Sequence, residues 1–192
     1  MTDGPVLPIL QAHPEKYGYV ERERCYLLRR LPPGLTAQSE HRRITDHYLS
    51  GTEIRLRHVS RPATGEDLWK LTQKVRPVST DGTSVFTTTF YLSEREHALL
   101  RSLPGRPIVK DRYPFDHGGR RYGIDVFHGP LTGLILAETE CGSEEELAAL
   151  TRPDFAAVDV SHDEAFTGGA LAALTLMAAQ VLWGQRFRGG EE

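Results

Sequence analysis

From Tyr19 onward, polar and apolar side chains alternate with a period of two through one segment after another, the pattern of half-buried β-strands. The first such segment runs from Tyr19 to about Leu31 and should stop at Pro32-Pro33-Gly34, where two prolines and a glycine cannot continue a ladder. Ile44 to Leu49 predicts a short strand, Ser50-Gly51 a turn, and Glu53 to Ser60 a strand in which Ile54, Leu56 and His58 alternate with Arg55, Arg57 and Val59. Leu68 to Val75 repeats the alternation and is stopped by Pro77. A turn at Ser79-Thr80-Asp81-Gly82 leads into Ser84 to Leu92, rich in Thr, Phe, Val and Tyr. The period then changes. Ser93 with Glu96 three residues later forms a capping box for a helix carrying Ala98, Leu99, Leu100 and Leu103, ended by Pro104-Gly105. Arg106 to Phe115 and Arg120 to His128, joined by Asp116-His117-Gly118-Gly119, predict a β-hairpin, and Gly133 to Cys141 a last strand. Ser143 with Glu146 opens a short helix reaching about Leu150, and Gly168-Gly169 precedes an apolar helix from Ala170 to about Phe187 that should pack outside the sheet or cap one end.

Seven or eight antiparallel strands with a few helices predict an α+β protein built on a closed or nearly closed β-barrel. Residues 1–18, with Pro5, Pro8 and Pro14, predict an irregular lead-in. The 192 residues are enough for one domain with a real core, and their formal charge of -3 gives no general reason to expect nucleic acid or an anionic membrane as partner. Any basic site must be local. Two cysteines, Cys25 and Cys141, are too few for a disulfide scaffold and fit a reducing compartment. With no basic start followed by an apolar run, and with its longest apolar stretch (Ala170 to Trp183) too short to span a bilayer, the sequence predicts a soluble, cytoplasmic protein. The eight histidines are scattered, and none forms a pair at metal-ligand spacing.

Charge patterning adds chemistry to this architecture. Glu21 and Glu23 share a face of the first strand. Alone they would read as a solvated edge, but similar sets recur: Arg55 and Arg57, Lys70 and Lys74, Lys110 and Arg112, Glu138 and Glu140, with Asp125 between Ile124 and Val126. Each set holds one sign, cationic in the middle strands and anionic in the first and last. A barrel of about eight strands encloses room for side chains or one small ligand, so these faces turned inward would make a polar tunnel. Six cations would neutralise a polyanion such as a triphosphate, and four glutamates beside phosphates make sense with a hard, oxygen-loving cation, Mg²⁺ or Mn²⁺, between them.

On these motifs the chain resembles the CYTH family, the triphosphate tunnel metalloenzymes. Glu21-Arg22-Glu23-Arg24 is similar to the opening Glu-x-Glu motif, Arg55-Leu56-Arg57 to the Arg-x-Arg strand, and Leu71-Thr72-Gln73-Lys74 to the strand ending in lysine. Lys110-Asp111-Arg112-Tyr113 resembles the Lys-x-Arg-Tyr strand, Ile124-Asp125-Val126-Phe127 the acidic strand after the hairpin, and Ala137-Glu138-Thr139-Glu140 the closing Glu-x-Glu strand. The resemblance implies an eight-stranded antiparallel barrel with flanking helices, forming a single tunnel domain over residues 19–188. It implies Glu21, Glu23, Glu138, Glu140 and Asp125 as metal ligands for Mg²⁺ or Mn²⁺, the four glutamates serving catalysis, and Arg55, Arg57, Lys70, Lys74, Lys110 and Arg112 as the triphosphate contacts. The implied activity is metal-dependent hydrolysis of tripolyphosphate or of a small organic or nucleoside triphosphate. The alternatives are a class IV adenylate cyclase and a triphosphate-binding protein with little turnover. The sequence departs from the family where Cys25 replaces the lysine that completes the first motif, where Thr87, Thr88 and Thr89 stand in a strand that carries glutamates in many relatives, and where Gly123 replaces a further acid. This inventory fits one metal site and argues against a second.

Overall fold

In the computed structural model, which describes residues 18–75 and 84–189, eight antiparallel strands close into a barrel. They are β1 (Tyr19–Leu27), β2 (Arg42–Leu49), β3 (Ile54–Arg61), β4 (Glu66–Val75), β5 (Ser84–Leu92), β6 (Gly105–His117), β7 (Arg120–Phe127) and β8 (Ile135–Glu140). Around the barrel the order is β5-β4-β3-β2-β6-β7-β8-β1, and β1 closes on β5. A two-residue β9 (Val158–Asp159) adds to β1 beside Tyr26 and Leu27. Helix α1 (Glu94–Arg101) follows β5, α2 (Glu144–Ala149) follows β8, and α3 (Gly168–Ala172) and α4 (Leu176–Gly189) end the chain. The expected lead-in, except for Gly18, and the expected stop at Pro77 and turn at Ser79 to Gly82 lie outside the described residues.

Local chemistry sets these bounds. Ser93 and Glu96 make the reciprocal capping box that starts α1. Gly118 and Gly119 have φ of 57° and 76°, both in the left-handed region, which lets two residues join β6 to β7 with the strand twist preserved. The first strand ends at Leu27 rather than Leu31, because its partner β8 begins at Ile135 and the ladder runs out at the Leu27↔Leu136 pair. The expected single C-terminal helix is two helices. Ala173 and Leu174 close α3 with bonds to Ala170 and Leu171, and the Thr175 hydroxyl accepts from the Ala178 amide to start α4.

The strand alternation puts charge inside the barrel and apolar surface outside it. Tyr26, Leu28, Tyr113, Tyr122, Ile124 and Ala137 point outward from β1, β6, β7 and β8 and are buried under Phe155 and Ala156. A second apolar cluster fills one end of the barrel, where Leu27, Ile108, Phe127 and Leu136 meet Val160, Phe166 and Leu171 from the C-terminal segment. Burial of these side chains drives closure while the lumen stays polar. Gly168, at the start of α3, lies against Tyr48. A β-carbon there would stand 1.8 Å from the Tyr48 hydroxyl, whereas one on Gly169 meets nothing within 4 Å. Gly168→Ala is therefore expected to destabilise the protein by about 1–3 kcal/mol, the usual cost of overpacking, and Gly169→Ala by much less. Equal melting temperatures for the two variants would refute this account of the α3 contact.

Candidate functional site

The barrel encloses a cavity of about 1350 Å³, and ten of the eleven charged residues expected at the site line it: Glu21, Glu23, Arg55, Arg57, Lys70, Lys74, Lys110, Arg112, Glu138 and Glu140. Cross-strand register brings them together. Glu23 of β1 faces Glu140 of β8, and Arg57 of β3 faces Lys70 of β4. β1 and β8 are neighbours, so their glutamates form a carboxylate wall. The cations of β3, β4 and β6 line much of the remaining wall.

The two walls are linked by internal ion pairs. Lys74 Nζ lies 2.6 Å from Glu21 Oε2 and 3.7 Å from Glu23 Oε1, and the Thr87 hydroxyl donates to Glu21 at 2.9 Å. Arg112 donates to Glu138, while Lys110 Nζ is 3.7 Å from the other oxygen of Glu138. Burial alone would raise the Glu138 carboxyl, but Arg112 and Lys110 more than offset it and hold it well below the ordinary carboxylate range. Glu21 is held down in the same sense, chiefly by Lys74 against burial. Glu23 goes the other way. Burial and the neighbouring Glu138 and Glu21 raise it despite Lys74, which marks it as a carboxylate short of positive charge.

Asp125, the remaining acid expected at the site, lies apart from the carboxylate wall. It is fully buried behind the lining. Arg112 grips it through Nε at 2.6 Å and Nη2 at 2.5 Å, and Lys110 donates to it as well. Both its oxygens are committed to holding the cations that face the lumen.

Asp46, which the strand-by-strand reading missed, does the same on the opposite side of β6. It is 1% exposed, accepts a fork from Arg57 at 2.6 and 2.8 Å, and lies 3.7 Å from Arg55 Nε. Burial would raise its carboxyl, yet Arg57 and Arg55 hold it far below the ordinary aspartate value. A hairpin folded tightly at Ser50-Gly51 would set Asp46 opposite Arg55, and the observed register, with the turn centred one residue later, sets it opposite Arg57; an arginine partner was therefore the signal available in the sequence. The single-sign pattern is thus broken on β2. Thr72, Thr87 and Thr89 also line the cavity, adding hydroxyls where acids were missing.

Cys25 borders the apolar plug and packs against it. Burial, then Glu138 and Glu23, push its thiol well above the usual value, so it stays protonated and serves as a small filler rather than a nucleophile. Arg55 Nε is buried with no hydrogen-bond partner among the described residues, and meets Asp46 only as the longer 3.7 Å ion pair.

The depressed Asp46 carboxyl fixes a pH dependence. It is ionised when folded at a pH where the unfolded chain would take up a proton. Its stabilisation is therefore complete above roughly pH 4 and is lost as the pH falls below that. Urea midpoints are expected to hold steady from neutral pH to about 5 and to drop steeply below about 4, with a shallower acid drop in Asp46→Asn.

Two solved structures share this architecture. A hypothetical protein, NE1496, superimposes with a TM-score of 0.54 at 23% identity, the match covering 81% of this chain and 99% of that one. The inorganic triphosphatase NE1496 gives 0.55 at 22% identity, covering 82% of this chain and 97% of that one. The shared fold is the closed eight-stranded antiparallel barrel. The tunnel's eight-stranded wall, its inward charges and its outer apolar covering follow from the strand pattern of this chain itself. No protein-family model and no curated protein matches the sequence. Among the described residues, no helix is long and apolar enough to cross a membrane.

Proposed function

We propose that this protein hydrolyses a small triphosphate, such as inorganic tripolyphosphate or a small organic or nucleoside triphosphate, with the help of a divalent metal ion. The observation that carries the reading is the opposition, inside one closed barrel, of a cationic lining on β3, β4 and β6 to a carboxylate wall on β1 and β8. The fold shared with the inorganic triphosphatase NE1496 supports it.

The donor set fits a hard cation. Glu21, Glu23, Glu138 and Glu140 offer carboxylate oxygens on adjacent strands, and the raised Glu23 carboxyl lacks compensating charge. Among the described residues no three such groups converge at metal-binding distance, so these side chains must reorient to hold an ion. Mg²⁺ or Mn²⁺ held there would withdraw charge from the phosphoryl oxygens and favour attack by water. The chain's own residues do the rest. Arg55, Arg57 and Arg112 present guanidinium donors to phosphate oxygens, and Lys70, Lys74 and Lys110 act as point charges. Catalysis then consists of orienting the phosphate chain and neutralising charge in a site walled off by the barrel.

Phosphate release should be measured from tripolyphosphate, ATP and thiamine triphosphate with Mg²⁺ and with Mn²⁺, and again after addition of EDTA. Release from at least one of them, lost with EDTA, is the expected result. Tight binding without release of phosphate or formation of a cyclic nucleotide would reduce the protein to a triphosphate binder. Cyclic nucleotide from ATP would make it a cyclase.

A further inference from the structure

We propose that Asp46 is a positioning residue of the tunnel, fixing the Arg57 guanidinium in the orientation that meets the transferred phosphoryl group; this rests on the triphosphate reading above. The side chain is buried to 1% exposure on β2, directly across from Arg57 on β3. It takes Nε and Nη2 of Arg57 in one plane, at 2.6 and 2.8 Å. Arginine has five N–H donors in a rigid plane, so anchoring two of them on a fixed carboxylate leaves three whose directions are set.

A purely structural ion pair is a poor explanation for this arrangement. Burying a carboxylate and a guanidinium costs more than burying two aliphatic side chains of similar size, so a site selected for stability alone would favour apolar residues. The same device also occurs twice. On the other side of the β2–β6 junction, Asp125 of β7 grips Arg112 of β6 through the same Nε and Nη2 atoms. Arg112 is near enough to Arg57 to oppose its charge. Both guanidinium groups line the lumen, and each is tied by an aspartate through the same two atoms.

The charge argument and the positioning argument predict different kinetics. Asp46→Asn removes one negative charge from a cationic lumen, which by itself strengthens anion binding. It also replaces a symmetric two-oxygen acceptor with an amide that cannot take both donors. With tripolyphosphate and Mg²⁺, the variant is expected to lose about tenfold or more in kcat per folded molecule with KM unchanged or lowered, and to melt below the wild type because Arg57 loses its buried counter-charge, so rates are compared at equal folded fraction. In ¹⁵N spectra of the arginine side chains, the Arg57 N–H signals, expected to be protected in the wild type, should exchange faster in the variant, which keeps at most one of the two bonds, while the Arg112 signals are unchanged.

A kcat within about twofold of wild type would overturn the proposal, as would a fall in activity that simply tracks loss of folded protein. If the wild type neither binds nor cleaves tripolyphosphate, ATP or thiamine triphosphate, the triphosphate reading is what fails. The spectra then decide the tie: loss of Arg57 protection in Asp46→Asn supports it, and its persistence overturns it.

Discussion

Arg112→Ala is expected to abolish turnover and to weaken the fold, because one guanidinium serves both. It faces the lumen and holds two carboxylates, Asp125 behind the wall and Glu138 on it. Asp125 is completely buried, so removing the fork leaves a charge inside the protein with only Lys110 to meet it. Breaking a buried pair from one side costs about 3–5 kcal/mol. The loss in rate should reach about a hundredfold or more, as it does when a group that stabilises transition-state charge is deleted. Arg112→Lys separates the two effects. A lysine returns positive charge and part of the stability but cannot grip both oxygens of Asp125, so turnover should stay low. Denaturant titration and phosphate release on the same samples provide the check. Wild-type stability in Arg112→Ala would mean that Asp125 does not depend on this fork.

Glu138→Gln should show the opposite balance, with most of the activity lost and most of the stability kept. The amide oxygen can still accept from Arg112, so no buried donor is orphaned. What disappears is a negative charge that, under the proposed function, helps the β8 wall to draw a divalent cation. A drop of about a hundredfold in kcat is expected, together with a higher Mg²⁺ or Mn²⁺ concentration for half-maximal rate. Full activity at ordinary metal concentrations would remove Glu138 from the catalytic set.

Much of this arrangement was legible along single strands. Period-two alternation located β1 through β8, the Ser93–Glu96 box located α1, and the Glu21 and Glu23 pair pointed to the carboxylate wall. What single strands do not carry is information that lies between them. Asp46 and Asp125 each look like an isolated acid until a neighbouring strand supplies an arginine in register. Once it does, both turn out to be anchors for cations. The C-terminal helix was read as continuous because Ala173, Leu174 and Thr175 do not interrupt an apolar run by composition. The break depends on Thr175 acting as a cap. Two-residue β9 has too few positions for any periodicity, and it forms because β1 has a free edge there.

The closing seam of the barrel has a consequence for how the molecule moves. Among the described residues, β1 meets β5 only from Tyr19↔Thr87 to Arg22↔Ser84 and meets β8 only from Glu23↔Glu140 to Leu27↔Leu136, whereas β2 and β6 are joined along their whole shared length from Arg42↔Arg112 to Leu49↔Gly105. The acidic half of the lumen therefore hangs on short ladders and the basic half on long ones. In amide hydrogen exchange the acidic half should open first, with Glu21 to Glu23 as its hinge. Under the proposed function, the basic half would then act as a stiff template that sets the shape of the bound anion, while the acidic half would adjust to whatever bridges the gap and become slow to exchange only when something does.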